Sequence, residues 1–93
     1  MTNLSEKDFL KEYKEYRLKV LSKTDGKNIH KINSFLGVIL NQGKNYIYFY
    51  NKNIKKAKEI LKHLKNKEKE IFELTGISFS LIRKTENEKE KSN

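Results

Sequence analysis

The sequence predicts a small α+β domain of two layers, a three-stranded antiparallel sheet packed against two helices in the order α-β-β-α-β. Three observations carry this expectation. Segments 5–23 and 53–75 repeat apolar residues at spacings of three and four, the period of an amphipathic helix. Tyr46, Tyr48 and Tyr50 recur at a spacing of two, the period of a strand. Residues 77–83 alternate again, with Ile77, Phe79 and Leu81 on one side and Ser78, Ser80 and Ile82 on the other.

The first helix is expected over 5–23. Ser5 is its N-cap, with Asp8 three residues on, and Leu4 and Phe9 stand at the hydrophobic-staple positions. Phe9, Leu10, Tyr13, Tyr16, Val20 and Leu21 form its apolar stripe. Thr24-Asp25-Gly26-Lys27 closes it, with Gly26 supplying a positive φ.

Residues 28–42 fit two descriptions. Ile29, Ile32, Phe35, Leu36, Ile39 and Leu40 have helical spacing, and a helix over 28–41 would give α-α-β-α-β. The run Phe35–Leu40, with Gly37 inside it and β-branched Val38-Ile39, favours a strand over 34–41. Asn41-Gln42-Gly43-Lys44 then reads as a turn into a second strand over 45–51. In that hairpin Leu36, Val38, Leu40, Ile47 and Phe49 share the core face. Phe35, Gly37, Ile39, Tyr46, Tyr48 and Tyr50 share the other.

The second helix is expected over 53–75, capped by Asn51 or Asn53 and ended by Gly76. Its apolar pattern lapses across residues 65–70. A break at Asn66 would give α-β-β-α-α-β, an order that resembles type II KH domains. That family clamps nucleotide backbones with a GxxG loop. Leu64-Lys65-Asn66-Lys67-Glu68 holds no glycine, so the resemblance implies no site here. The core is expected to rest on Leu36, Phe49, Leu61, Phe72 and Phe79. Residues 1–84 form the single domain, and the charged tail 85–93, which has no apolar residue, is expected to be disordered.

Composition narrows the function. No cysteine is present, which excludes disulfides and thiol catalysis. No apolar run approaches membrane-spanning length and the N-terminus has no signal-peptide pattern, so a cytoplasmic location is expected. The formal net charge is +9, and residues 27–58 hold seven lysines and no Asp or Glu. That segment therefore supplies seven of the nine excess charges. Such a balance favours nucleic acid, single-stranded above all, or an acidic protein surface. AT-rich coding bias toward lysine and asparagine is the alternative source of the charge.

The candidate site is a lysine-fringed tyrosine strand: Lys44, Tyr46, Tyr48, Tyr50, Lys52, Lys55, Lys56 and Lys58. Bases stack on aromatic rings while lysines hold phosphates. A second subunit could instead cover the tyrosine face, giving a homodimer, or the rings could be core. Lys52, Lys55, Lys56 and Lys58 also surround a helix N-terminus, where the dipole disfavours cations and a bound phosphate would relieve them. No cofactor, metal-ligand or catalytic motif occurs, so the chain reads as a non-catalytic binding protein. Its two histidines, His30 and His63, leave a two-histidine, one-lysine nuclease as the enzymatic alternative. A protein-interaction or inhibitor protein is the alternative binding reading, with a mobile-element origin as one possible source.

Overall fold

The computed structural model describes residues 5–82. It contains helices α1 (Glu6–Lys23), α2 (Ile29–Tyr50) and α3 (Ile54–Thr75), and a further helical turn that begins at Ser80. No strand occurs among the described residues. The expected three-stranded sheet is therefore wrong. The expected strands 34–41 and 45–51 fall in one continuous helix that ends at Tyr50, and the described part of 77–83 is an irregular link over 77–79 into the helical turn from Ser80. The alternative order α-α-β-α-β has the helix over 28–41 but fails at the strand after it.

The reason lies in which residues are buried. α1 buries Phe9, Tyr13, Tyr16 and Val20, at steps of four, three and four. α2 buries Ile32, Leu36, Ile39, Gly43 and Tyr46, at steps of four, three, four and three. α3 repeats the step with Ala57, Leu61, Leu64, Glu68 and Ile71, adding Ile60 beside Leu61. This seven-residue repeat is the seam by which helices pack side by side. Gly43 and Glu68 each occupy a seam position without being apolar. They interrupt the pattern exactly where sequence reading sees a turn and a lapse.

The ends are fixed locally. Ser5 Oγ accepts the Asp8 N–H at 3.1 Å, as expected of the N-cap. Asn53 Oδ1 accepts the Lys56 N–H at 3.2 Å and starts α3. Gly76 ends α3 in the left-handed region, at φ 79°, and donates its N–H to the Phe72 carbonyl at 2.7 Å. Gly26 needs no positive φ; Gly76 alone has one among the described residues. α1 closes at Thr24, whose hydroxyl donates to the Val20 carbonyl at 2.7 Å. α3 runs unbroken through Asn66, which removes the α-β-β-α-α-β order and with it the likeness to KH domains. The staple residue Leu4 and the tail 85–93 lie outside the described residues.

α2 and α3 form an antiparallel hairpin across the three residues 51–53. Lys56 lies over the Phe49 ring and Lys67 over the Phe35 ring, so pairs converge toward the turn. α1 lies along α2, where the Tyr13 hydroxyl donates to the Leu36 carbonyl at 2.9 Å in a buried contact. Burial raises the Tyr13 phenol above its ordinary pKa, against a smaller opposing pull from the Arg17 charge. The Phe9 ring rests directly on Gly43, leaving no room for a Cβ there.

The link after α3 closes the core. Phe79 is buried and stacks on Tyr16 at 4.5 Å and on Phe9 at 6.1 Å between ring centroids. Its N–H donates to Glu68 Oε2 at 2.9 Å. Glu68 is only 3% exposed, and this backbone donor helps to satisfy its buried carboxylate. Ile82, three residues on, is also buried. Of the five expected core residues, Leu36, Leu61 and Phe79 are buried; Phe49 is half-buried and Phe72 is exposed.

Candidate nucleic-acid interface

The turn between α2 and α3 is built from backbone bonds that fold the chain back on itself. The Lys52 and Asn53 N–H groups both donate to the Phe49 carbonyl, at 3.0 and 2.8 Å. Asn53 then caps α3, leaving Lys52 at the apex and Lys55 and Lys56 in the first turn of α3. α2 contains no acidic residue over its whole length, and neither does the first turn of α3. The end of the hairpin is consequently cationic, with Glu59 one turn into α3 as the first carboxylate after it.

The tyrosines do not form a row. A strand puts residues two apart on one face, whereas two helical steps turn the chain by about 200°. Tyr46 is accordingly buried, and Tyr50, one turn on, is half-buried with its ring edge against Tyr46 at 5.6 Å. Tyr48 points the other way and is 59% exposed. The tyrosine face imagined for stacking, or for a second subunit, therefore reduces to one ring.

That ring keeps lysine company. Lys44 stands one turn before Tyr48 on the same side of α2, and the Lys52 ammonium lies 5.1 Å from the Tyr48 ring centroid. Phe49 meets Tyr48 edge-on at 4.9 Å and carries Lys56 over its own face at 4.9 Å. Cation–π contacts of this kind hold flexible lysine heads near fixed points. The structure thus brings together Lys44, Tyr48 and Lys52, with Lys56 joined to them through Phe49; Lys55 precedes Lys56 in the first turn of α3. Lys58 lies two residues past Lys56, on the opposite side of α3. All six lie open to solvent.

Sequence reasoning placed Phe49 in the core and missed it as the ring beneath Lys56. The seven-residue step across a turn that links them is visible only once 45–50 is helical. His30 and His63 are both exposed. The hairpin register puts them about ten residues apart along the bundle, roughly 15 Å. Among the described residues no group of His, Asp or Glu could hold a metal ion, and no helix is long and apolar enough to cross a membrane. No protein-family model, curated protein or solved structure matches this chain, so the turn's own chemistry is the guide to its role.

Proposed function

We propose that this protein is a non-catalytic binding module that holds nucleic acid at the α2–α3 turn. Lys44, Lys52, Lys55 and Lys56 take phosphates, and Tyr48 offers an exposed ring at the turn on which a base can stack once Lys52 swings to a phosphate. The observation that supports this reading is the lack of any carboxylate from Lys27 to Lys58, in a segment whose end gathers four exposed lysines around an exposed aromatic. Lysine–phosphate contacts carry no base information, so sequence preference is weak. A single stacking ring favours single strands only modestly.

The test is the salt dependence of affinity for a fluorescent single-stranded oligonucleotide. Changing Lys44, Lys52, Lys55 and Lys56 together to Gln should lower affinity and flatten the slope of log K against log salt, by up to about 0.7 for each lost contact. Changing the exposed Lys19, Lys23, Lys62 and Lys69 removes the same charge elsewhere and should have a smaller effect. Equal losses from the two sets would mean diffuse attraction to net charge, and the site at the turn would be abandoned.

A further inference from the structure

A second surface lies between α1 and α2, away from the turn. It is an open groove of about 460 Å3 lined by Leu10, Lys11, Tyr13, Lys14 and Leu40. Its α2 wall follows Asn33, Gly37 and Leu40, at steps of four and three. Gly37 is open above: a Cβ there would meet nothing within 4 Å. Beyond that lining, Leu18 on α1 is 66% exposed, the largest exposure among the large hydrophobic residues of the described chain.

Most carboxylates of α1 lie on the side away from the groove. Lys7, Lys11, Lys14 and Arg17 fall at steps of four, three and three, on the side that carries Leu10, Leu18 and Leu21. Asp8, Glu12 and Glu15 fall on the other side, together with Lys19 and Lys23. Glu6, at the first position of α1, is the single carboxylate on the groove side, and α2 adds none.

We propose that this groove docks an acidic amphipathic helix of a partner protein. The partner's apolar row lies on Leu10 and Leu40, its backbone comes close at Gly37, and its Asp or Glu side chains meet Lys7, Lys11 and Lys14. Helices dock in grooves by such rows of residues at three and four. Charge decides the occupant. A second copy of this chain would bring the same lysines face to face, which opposes a symmetric pairing. A nucleic acid would leave the apolar floor uncovered by anything it can pair with.

The probe is a fluorescein-labelled synthetic peptide of four helical turns, with leucines at helical spacing on one face and glutamates flanking them. Anisotropy should show saturable binding to the full-length protein. Gly37→Leu fills the groove at a site with free space above the backbone, and circular dichroism verifies that the variant is folded. It should weaken binding roughly tenfold or more, as a blocked interface centre does. Lys11→Glu with Lys14→Glu should weaken it comparably, whereas Lys52→Gln with Lys55→Gln should leave it unchanged. The last pair keeps this outcome separate from the fate of the turn. The proposal is overturned if the acidic peptide does not bind, or if Gly37→Leu binds it as wild type does. Equal binding of a lysine-for-glutamate peptide, of polyglutamate or of anionic vesicles also overturns it. So does a dimer in sedimentation that Gly37→Leu abolishes.

Discussion

Phe79→Ala is expected to destabilise the protein by about 3–5 kcal/mol, the range for deleting a buried phenyl ring. The ring lies outside the three long helices, yet it touches the core of α1 through Tyr16 and Phe9. Its backbone N–H is also a partner of the buried Glu68 carboxylate. Loss of the ring opens a cavity and loosens the segment that carries that donor. Weakening that hydrogen bond to a buried carboxylate adds to the cost. With total stability on the order of 5–12 kcal/mol for a chain of this length, much of the folding free energy would go. Thermal melting by circular dichroism gives the magnitude, and hydrogen exchange should show residues 77–82 losing protection first. A melt within a degree or two of wild type would mean that the link does not close the core.

Gly43→Ala and Gly37→Ala are expected to act in opposite directions, although both place alanine inside α2. At Gly43 the added methyl would overlap the Phe9 ring. That ring cannot step aside freely, because it stacks on Tyr13 and on Phe79, each at 6.1 Å. Overpacking of this kind costs about 1–3 kcal/mol, more than the helix-propensity gain of up to about 1 kcal/mol. At Gly37 nothing lies within 4 Å of the new atom, so the propensity gain of about 0.5–1 kcal/mol stands alone. Chemical denaturation midpoints of the two variants report the signs directly. In a hairpin with its turn at 41–44 the order would differ: Gly37 would face Tyr48 in the sheet and Gly43 would sit in an open loop. The pair therefore also tests the helical assignment of α2.

How much was legible depended on which physics each residue reports. Caps are local, so Ser5 and Gly76 could be read directly and the α3 start narrowed to Asn51 or Asn53, of which Asn53 caps; the end of α1 was placed on Gly26, whereas Thr24 closes it. α2 could not be read, because its seam uses Gly43, whose value is close approach to Phe9 and not its own apolar surface. The same holds for Glu68, a charged residue at a seam position whose backbone partner, Phe79, is eleven residues away. β-Branched and aromatic residues at 35–50 lean toward strand by propensity, and tertiary packing overrode that preference. The lysines of the candidate site were legible because long charged side chains reach solvent in either fold. The tyrosine row was not, since its meaning rested on a period of two that a helix does not have.

We propose that nucleic acid meets this protein at the cationic end of the α2–α3 hairpin. The most direct measurement is a titration of 15N-labelled protein with a short single-stranded oligonucleotide, following backbone amides. The account predicts saturable shifts concentrated in residues 44–56, largest around Tyr48 and Lys52, with residues 19–23 and 62–69 nearly still. Shifts spread evenly over all lysine-bearing segments, or centred away from the turn, would contradict it.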